Sequence, residues 1–546
     1  MFRRVWGCAI ALSMVLASAV HAANVVDAST LNNKVMAGYQ GWHMTSGDGS
    51  GAGWRHWSPN QIPSANNITF DLWPDLREFS ASELTPTSFK YANGTTAGLY
   101  SAYNATTVAR HVKWMKDYGI DGVFVQRFVS EAVNMRSVRD KVLQNVRQAS
   151  EAQGRVFANM YDISGANAST VVSNIKSDWM HLVDDLGITA SSRYVRHNGK
   201  PVVAIWGFGF SDRPGTASQL KALLQWFNSG AAAKYRASVM LGVDPGWRGQ
   251  SADWQSAYRM AAVISPWTVG RYSDDAGADH WRAYKLAPDL AALSGTGVAY
   301  MPVVWPGFSW YNLQHGTSPL NKVPRRGGRF FWRQAYNAVQ VGARMMYVAM
   351  FDEVDEGTAM YKIAENASQV PTTGKFVTLN ADGESVPSDW YLRLFGAASQ
   401  MLRGERSLTA VMPAAAELPA PGGSTPDPTP SGNDDLTSGQ RLNAGESLVS
   451  LNSQYRFTLQ PDGNLVLRNA GGLALWSSGT AGRAGVRLEL QSSDGNLVLY
   501  SAAGAALWAT GTSGSGATRL VMQSDGNLVL YTATGKPVWS TKTNGL

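Results

Sequence analysis

The stretch Leu459–Arg468 reads LQPDGNLVLR, and the pattern returns as LQSSDGNLVLY from Leu490 and as MQSDGNLVLY from Met522. A tryptophan follows each copy, at Trp476, Trp508 and Trp539. These tryptophans are 32 and 31 residues apart, and a fixed period of this size is typical of repeat architectures. Within each copy, Asp-Gly-Asn is a turn signal and Leu-Val-Leu predicts a short strand. The period predicts three small sheets around a pseudo-threefold axis that bury the three tryptophans together.

The residues on the N-terminal side of these repeats form a linker. Residues 411–435 are rich in Pro, Gly, Ser and Thr and contain no aromatic residue. Such a segment cannot bury a core, so it predicts an extended connection between two independently folded units. We therefore expect a first domain over 24–410 and an all-β domain over 436–546.

The N-terminus has the features of an export signal. Arg3 and Arg4 precede the apolar run Val5–Val20, and small residues follow at Ala22. This order is typical of a cleavable secretory signal peptide, which we assign to residues 1–22. The run is shorter than the roughly 20 residues that a membrane-spanning helix needs. The sequence predicts a secreted protein, extracellular or periplasmic, without a membrane span.

The composition narrows the function classes. The chain has 546 residues, of which 44% are hydrophobic and 16% charged, so disorder is excluded for most of its length. The formal net charge of +7 is not gathered into a basic stripe, which gives nucleic-acid binding little support. The one cysteine, Cys8, lies in the predicted signal peptide. The mature protein is therefore expected to use neither disulfides nor a cysteine nucleophile.

Residues 24–410 alternate apolar runs with amphipathic segments. The predicted strands are Val35–Trp42, Gly122–Phe128, Arg155–Tyr161, Pro201–Phe208, Ser238–Val243, Ala262–Val269, Val298–Trp305 and Met345–Phe351. The predicted helices include Ala105–Tyr118, Met135–Ala152, Ser218–Asn228 and Phe331–Val341. Strands separated by helices pair in parallel, so the fold class is α/β and eight repeats predict a (β/α)8 TIM-like barrel. An open doubly wound sheet is the alternative, although no Gly-x-Gly-x-x-Gly turn follows the first strand.

Polar and aromatic residues collect at the carboxyl ends of these strands, where a barrel of this type carries its chemistry. In chain order they are Tyr39, Gln40, Trp42, His43, Gln126, Arg127, Tyr161, Asp162, Trp206, Asp244, Trp247, Trp267, Arg271 and Trp305. Aromatic faces interleaved with hydrogen-bonding groups suit a neutral polyhydroxylated ligand. For any one of the aromatic residues, packing in the core is an equally good interpretation.

The eighth predicted strand ends in an acidic cluster. Residues 347–358 read YVAMFDEVDEGT, with Asp352, Glu353, Asp355 and Glu356 directly after an apolar strand. Repulsion and partial burial would raise the pKa of one carboxyl group and leave another ionised, which prepares an acid/base pair. Because the chain turns at Gly357, Glu353 and Glu356 can both point into the cleft. A solvated acidic loop is the alternative.

The C-terminal repeats resemble the bulb-type (monocot mannose-binding) lectins, whose site motif is Gln-x-Asp-x-Asn-x-Val-x-Tyr. The third copy matches fully, with Gln523, Asp525, Asn527, Val529 and Tyr531. The second copy has Asp494, Asn496, Val498 and Tyr500, but its Gln491 is one position early and Ser492 stands where Gln is expected. The first copy has Gln460, Asp462, Asn464 and Val466, with Arg468 in place of Tyr. The resemblance implies a β-prism of type II as the fold of this domain and mannose-type glycans as its partners. A turn-forming role without sugar binding is the alternative for each copy.

The acidic cluster resembles the Glu-Trp-His-Glu-Gly-Thr motif of glycoside hydrolase family 99, which contains endo-α-mannosidase and endo-α-mannanase barrels. Glu353, Glu356, Gly357 and Thr358 align, and Val354-Asp355 replace Trp-His. The resemblance implies that Glu353 removes the proton of the sugar 2-hydroxyl. It implies that Glu356 protonates the leaving oxygen and later activates water, with net retention through a 1,2-anhydro sugar rather than a glycosyl-enzyme.

These two signals together predict a secreted retaining hydrolase of α-linked, mannose-containing oligo- or polysaccharide with an appended mannose-binding module. The alternative is a carbohydrate-binding protein without catalysis, either a lectin or a lectin-targeted toxin. A metal-dependent hydrolase has little support, because the eight histidines are scattered and form no His-x-His or His-Glu-x-x-His motif. No Gly-x-Ser-x-Gly elbow indicates a serine triad. The sequence therefore predicts no cofactor and no metal.

Overall fold

A computed structural model of the chain describes residues 25–418 and 434–544, except for 451–453, 524 and 533–535. The predicted signal peptide and residues 419–433 of the predicted linker lie outside the described residues. The chain divides into two compact units, residues 1–423 and 424–546. The domain limits drawn from the sequence stay a prediction.

The first unit is built on a curled, mainly parallel sheet. Its strands, with a separate hairpin of β2 and β3, are β1 (Lys34–Tyr39), β2 (Leu84–Lys90), β3 (Thr96–Tyr100), β4 (Gly122–Phe128), β5 (Val156–Asp162), β6 (Arg196–His197), β7 (Lys200–Trp206), β8 (Ser238–Val243), β9 (Val263–Pro266), β10 (Ala299–Tyr300), β11 (Val303–Val304) and β12 (Met345–Val348). The order across the sheet is β10-β9-β8-β7-β5-β4-β1-β12-β11, and the short β6 pairs antiparallel with β7.

All eight predicted strands are present, and the seventh is split. Two of them, β4 and β8, have the predicted bounds. The run Val298–Trp305 forms β10, which pairs with β9, and β11, which pairs with β12. Between them lies Pro302, which has no N–H to donate to a ladder, although its carbonyl accepts from the Tyr347 N–H at 2.9 Å. The sheet therefore curls until its two outermost strands belong to one run of residues, Ala299 to Val304.

Helices follow most of the strands. They are α1 (Ala105–Asp117), α2 (Val129–Asn134), α3 (Arg136–Gln153), α4 (Val171–Asp184), α5 (Ala217–Gln225), α6 (Ala252–Tyr258), α7 (Asp275–Trp281), α8 (Ala287–Leu293), α9 (Arg329–Gln340) and α10 (Trp390–Arg403). The four predicted helices correspond to α1, α3, α5 and α9. Helix α1 begins where the Asn104 side chain accepts the Thr106 N–H, and α3 ends at Gly154, whose φ is +66°. Within the described ranges, no helix has both the length and the apolar character needed to cross a bilayer.

The strand alternation decides which side chains reach the inside of the curled sheet. In β4 and β5 the register pairs Arg127 with Tyr161 and Phe128 with Asp162, and Asp162 pairs with Trp206 of β7. Successive side chains point to opposite faces of a strand. Phe128, Asp162 and Trp206 therefore share the inner face, whereas Arg127 and Tyr161 point outward to the helices.

The second unit consists of three four-stranded antiparallel sheets. Its strands are β13 (Asp435–Thr437), β14 (Arg441–Asn443), β15 (Ser447–Val449), β16 (Tyr455–Leu459), β17 (Leu465–Asn469), β18 (Ala474–Ser477), β19 (Gly485–Leu490), β20 (Leu497–Ser501), β21 (Ala506–Ala509), β22 (Ala517–Met522), β23 (Leu528–Thr532) and β24 (Pro537–Ser540). The sheets are β15-β16-β17-β18, β14-β19-β20-β21 and β13-β22-β23-β24. Each combines three strands of one repeat with one short strand from residues 435–449.

The three repeat tryptophans lie together, as the period predicts. The ring centroids of Trp476, Trp508 and Trp539 are 5.8–6.0 Å apart, in edge-to-face contact. The rings are half-buried rather than fully enclosed. The fully buried core of this unit is instead built from leucines of the three sheets, such as Leu467, Leu499 and Leu530.

Candidate active site

The acidic segment after β12 divides its side chains between a cavity and the protein interior. The cavity, of about 290 Å³, is lined by residues at the carboxyl ends of several strands. Glu353 and Glu356 both line it, whereas Asp352 and Asp355 do not. Glu353 is buried and Glu356 is half-buried. The four crowded carboxylates are thus separated into two that line this cavity and two that do not.

Several strand-end candidates surround these two glutamates. Those that line the cavity are Gln40, Trp42, Gln126, Asp162, Trp206 and Trp267. Trp206 and Trp267 meet edge to face, with ring centroids 5.1 Å apart. Gln126 Nε2 donates to Asp162 Oδ2 at 3.3 Å. Aromatic surface and hydrogen-bonding groups therefore alternate around the cavity, which suits a ligand with apolar faces and hydroxyl edges.

Three other candidates point to the helices instead. Tyr39 has its hydroxyl 3.0 Å from Nδ1 of His111 on α1. The Tyr161 hydroxyl donates to Asp178 of α4 at 2.8 Å, and Arg127 donates to the same carboxylate. These side chains have the outward parity of their strands and do not line the cavity. They pack the sheet against its helices.

The remaining candidates also lie outside the cavity lining. Trp305 is fully buried against Phe330, with ring centroids 4.9 Å apart. Asp244 caps a turn, because its Oδ1 accepts the Gly246 N–H at 2.7 Å. Arg271 is exposed. The fifth strand and the split seventh strand therefore contribute no candidate side chain to the cavity.

Burial and mutual repulsion set the electrostatics of the two glutamates. Burial raises the pKa of Glu356 to about 7; the Asp355 charge adds to this shift and Arg213 opposes it. Burial also raises the pKa of Glu353 well above its usual value; the charges of Asp355, Glu356 and Asp352 add to this and a hydrogen bond from Gln40 opposes it. The two carboxyl groups consequently titrate as a pair, and both keep their protons to a higher pH than a free glutamate does.

Hydrogen bonds distinguish the two members of this pair. Gln40 Nε2 donates to Glu353 Oε2 at 2.6 Å, and the Glu356 N–H points at Glu353 Oε1 from 3.4 Å. Donors of this kind favour the ionised carboxylate. The Gln40 hydrogen bond lowers the pKa of Glu353, but burial and the three neighbouring carboxylates outweigh it.

Asp352 holds the end of β1 against the acidic segment. Its Oδ1 accepts the Gln40 N–H at 2.7 Å and its Oδ2 accepts the Gly41 N–H at 2.9 Å. Burial raises the pKa of Asp352 to about 7, although these backbone donors oppose the shift. Asp352 therefore fixes the backbone of Gln40, whose side chain contacts Glu353.

The turn after Glu356 depends on a glycine. Gly357 has a φ of +67°, and a Cβ there would lie 2.7 Å from the backbone nitrogen of Ser309. The Ser309 N–H donates to the Glu356 carbonyl at 2.9 Å, and Arg325 donates to the carbonyls of Gly357 and Ala359 at 2.9 and 2.7 Å. Only a residue without a side chain fits this approach, as the Gly-Thr of the motif suggests.

Some residues of the cavity were not among the candidates. They are Phe128, Ser164, Gly207, Phe210, Arg213, Met350 and Thr358. Parity would have found Phe128, which is two positions after Gln126. Phe210 and Arg213 lie in the loop after β7, and nothing in their local sequence distinguishes them from other loop residues.

The third lectin-like copy is ordered by its own motif residues. Gln523 Nε2 donates to the Tyr531 hydroxyl at 2.9 Å, and Asp525 Oδ1 accepts the Asn527 N–H at 2.9 Å. Val529 is buried beside them. The Asn527 side chain is held from outside the motif, since its Oδ1 accepts hydrogen bonds from the Thr541 hydroxyl at 3.1 Å and the Thr543 N–H at 3.3 Å.

The second copy has the same arrangement in spite of its broken motif. Gln491 Nε2 donates to the Tyr500 hydroxyl at 2.8 Å, as Gln523 does to Tyr531. Gln491 directly follows the last residue of β19, and the turn to β20 is one residue longer than the turn between β22 and β23. The extra residue lies in the turn. Gln491 therefore makes the contact that Gln523 makes in the third copy, although Ser492 stands at the motif position of the glutamine.

The first copy differs from the other two at its last motif position. Arg468 replaces the tyrosine, and its Nη1 donates to the Gly472 carbonyl at 2.9 Å. Asn464 keeps its structural contacts, since its Oδ1 accepts the Thr480 N–H at 3.0 Å. The first copy retains the shape of the turn without the phenol that Gln491 and Gln523 contact in the other copies.

In the parts of the chain that the structure describes, no group of three or more His, Cys, Asp or Glu side chains is arranged to hold a metal ion. A scan against protein-family models and a search of curated proteins both find no match for the chain.

Among solved structures, the chain is similar to the GH99 endo-alpha-mannosidase from Bacteroides thetaiotaomicron. The TM-score is 0.51 at 14% identity, over 69% of this chain and 100% of that one. Monomeric monocot mannose-binding lectins from Gastrodia elata match 20% of this chain and 99% of their own at 39% identity, with a TM-score of 0.19. A domain-swapped lectin dimer from Mycobacterium smegmatis matches 20% and 97% at 49% identity, with a TM-score of 0.12. Both resemblances named from the motifs reappear here. At 14% identity the first shows a similar fold and nothing about the reaction.

The raised pKa of Glu356 predicts a pH-dependent gain in stability for Glu356→Gln. The unfolded carboxyl ionises near its ordinary pKa of 4.5, but the folded one ionises only at about 7. Wild-type stability should therefore fall as the pH rises from 4.5 to 7, by up to about 1.4 kcal/mol per pH unit. Glutamine does not titrate, so the variant should melt at the wild-type temperature near pH 4 and a few degrees higher at pH 8. Scanning calorimetry at both pH values checks this, with the exposed Glu405→Gln as control. An equal difference at both pH values contradicts it.

Proposed function

We propose that the chain is a secreted glycoside hydrolase with a (β/α)8 barrel that cleaves α-linked, mannose-containing glycan and carries a C-terminal mannose-binding module. The observation that carries this proposal is that Glu353 and Glu356 both line one cavity walled by Trp206 and Trp267. The run Ala299 to Val304, shared by the two outermost strands of the sheet, supports a closed barrel. The order of charged and apolar residues in 1–22 supports export.

The mechanism assigns different work to the two glutamates. Glu353 takes the proton of the sugar 2-hydroxyl while the sugar O2 attacks the anomeric carbon. Glu356 gives its proton to the glycosidic oxygen of the leaving group as the bond from that oxygen to the anomeric carbon breaks. The product of this step is a 1,2-anhydro sugar. Glu356 then takes a proton from the water that attacks the anomeric carbon, and Glu353 returns its proton to O2. The two displacements give net retention, and both glutamates end in their starting states.

The surroundings of the pair support this assignment. The hydrogen bond from Gln40 favours the ionised form of Glu353, and burial with the charge of Asp355 raises the pKa of Glu356 to about 7, so that Glu356 can carry a proton near neutral pH. Trp206 and Trp267 supply apolar surface to the sugar ring faces, and Gln126 and Asp162 supply hydrogen bonds to its hydroxyl groups. These are the substrate-binding residues that we propose.

In the C-terminal module, we propose two working mannose sites. The second and third copies share the Gln–Tyr contact, the Asp-capped turn and the buried valine. An unpaired polar group in such a site penalises a sugar that lacks the matching hydroxyl. A module of this kind on a linker raises the effective concentration of glycan at the barrel.

The copy assignment predicts the outcome of two matched substitutions. Tyr500→Phe and Tyr531→Phe each delete one hydroxyl, and each should remove one of the two mannose sites because the glutamine and the sugar lose a shared partner. Titration calorimetry with methyl α-mannoside should give about half the wild-type stoichiometry for each and no measurable binding for the double variant. Tyr455→Phe, outside the motifs, is the control. Binding retained by the double variant would assign the activity to the first copy.

The enzyme proposal is tested by incubating the full chain with a panel of α-mannans and other α-glycans. Thin-layer chromatography shows which glycans of known linkage give products, and NMR of the first product formed shows whether the anomeric configuration is retained. Retained α-product from a mannan supports the proposal. Binding of the panel without any product would instead leave the alternative, a carbohydrate-binding protein without catalysis.

A further inference from the structure

Asp355, which lies between the two cavity glutamates, is held by two histidines. It is 3% exposed. Its Oδ1 is 3.0 Å from Nε2 of His43, and its Oδ2 is 2.9 Å from Nδ1 of His56. An ionised carboxylate only accepts hydrogen bonds, so each imidazole presents an N–H to it. We call Asp355, His43 and His56 the clamp.

The state of the two rings fits this pairing. Burial lowers the pKa of both His43 and His56, which keeps the rings neutral. The other nitrogen of His43, Nδ1, is buried without a partner among the described residues. In a neutral imidazole, an unprotonated Nδ1 means that the proton is on Nε2, which here faces Asp355.

His56 reaches Asp355 from a conformation that is unfavourable for a histidine. Its φ is +59°, in the left-handed region, where the Cβ of a non-glycine residue crowds the backbone. The backbone around it is fixed: Met44 and Arg55 exchange two hydrogen bonds, and the Thr69 hydroxyl donates to the His56 carbonyl at 2.8 Å. A strained residue persists where its surroundings determine it, and here the strain aims the ring at Asp355.

The clamp ends in the wall of the cavity. The His56 ring is stacked on the indole of Trp42, with centroids 3.9 Å apart and planes 1° from parallel. Phe128 is also parallel to this indole, with centroids 5.8 Å apart. Trp42 and Phe128 both line the cavity with the two glutamates. The hydrogen bond to Asp355 thus orients the ring on which Trp42 rests.

We propose that Asp355 is a positioning residue of the glycan site, and that through His56 it fixes Trp42 in the binding surface while it holds the backbone between Glu353 and Glu356. This inference rests on the proposed function and adds to it a role for the Val-Asp pair that replaces Trp-His in the motif. Asp355 and both histidines act through Trp42 and the glutamates and do not touch the sugar themselves.

The positive φ of His56 makes a specific test available. Glycine adopts this backbone conformation without strain, so His56→Gly removes the ring and should keep the fold. A second cavity of about 300 Å³, lined by His56 and Asp355 together with Trp54 and Asn60, gives small molecules access to the vacated position. Added imidazole can therefore replace the missing side chain.

We expect His56→Gly to raise KM about tenfold with a smaller change in kcat, because a binding wall is loosened more than the reacting groups. Imidazole at tens of millimolar should restore KM. Neutral 1-methylimidazole has the same ring but no N–H, so at pH 8 it should not restore KM. His315→Gly is the matched control, since His315 is exposed and has a φ of +50°. It should keep the wild-type KM with or without imidazole.

A measurement without substrate separates this inference from the proposed function. Imidazole should raise the melting temperature of His56→Gly, and should not raise that of the double variant His56→Gly/Asp355→Ala, which has the same vacated position but lacks the acceptor. This shift is expected even if no glycan is hydrolysed, a result that would end the proposed function alone. Equal rescue by imidazole and 1-methylimidazole would overturn the clamp, because ring packing would then suffice. A wild-type KM in His56→Gly would overturn it as well.

Discussion

Glu356→Gln is expected to reduce hydrolysis of an α-mannan by about a thousandfold, the loss typical of removing a residue with the acid and base roles that we propose for Glu356. Glutamine fills the same space but cannot donate the proton that Glu356 holds near neutral pH. Initial rates measured by reducing-sugar release check the prediction. Binding of methyl α-mannoside should stay at the wild-type level, since the motif residues of that module lie beyond residue 436.

The leaving group distinguishes the roles of the two glutamates. The phenol of an aryl α-mannoside with an acidic phenol can depart without being protonated. The rate of phenol release by Glu356→Gln should therefore recover much of the wild-type rate on this substrate. Glu353→Gln should not recover, because the 2-hydroxyl still needs a base. Asp162→Asn, in the cavity wall, is the control and should affect KM more than kcat. Hydrolysis by a Glu353→Gln/Glu356→Gln double variant at the wild-type rate would refute the mechanism.

Arg127→Ala is expected to destabilise the first unit by about 3–5 kcal/mol, because it leaves a buried carboxylate without its partner. Arg127 donates to both oxygens of Asp178 at 2.7 Å and to Asp140 at 2.8 Å, and it is 2% exposed. The Tyr161 hydroxyl alone would then face Asp178. Denaturant titration of the variant should show the loss as an earlier midpoint.

A second substitution separates the ion pair from the cavity. Arg127→Met/Asp178→Leu removes both charges and should recover much of the stability that Arg127→Ala loses, since no uncompensated charge remains. The fraction of Arg127→Ala that stays folded should have the wild-type KM. A raised KM with an unchanged midpoint would mean that Arg127 reaches the substrate, as its place at a strand end first suggests.

Arg127 and Tyr161 also show how far the sequence can locate a site. Apolar runs predict all eight strands, because a buried parallel strand needs them. The rule that functional residues lie at the carboxyl ends of strands does not distinguish adjacent residues, which point to opposite faces of the sheet. Alternation sends Gln126 and Asp162 inward and their neighbours outward, and counting parity from the sequence would have separated them.

Other parts of the site depend on tertiary contacts that no local pattern encodes. His56 lies in a loop 17 residues after β1 and joins the site only because that loop folds over Asp355. In the second lectin-like copy, a strict motif rejects Gln491, whereas the turn accommodates the extra residue and returns the side chain to Tyr500. A short motif requires a fixed spacing between its residues. A longer turn can change that spacing in the sequence while the glutamine and tyrosine side chains keep their contact in the structure.

The three short strands over residues 435–449 have a consequence for biosynthesis. β15 pairs with the first repeat, β14 with the second and β13 with the third, so the strand made first waits for the repeat made last. Pairing between strands so far apart in the sequence slows folding. During synthesis, the second and third sheets cannot form until their own repeats have left the ribosome. A ribosome that stalls before Ala517 would release a chain whose β13 has an unsatisfied edge, open to another nascent molecule.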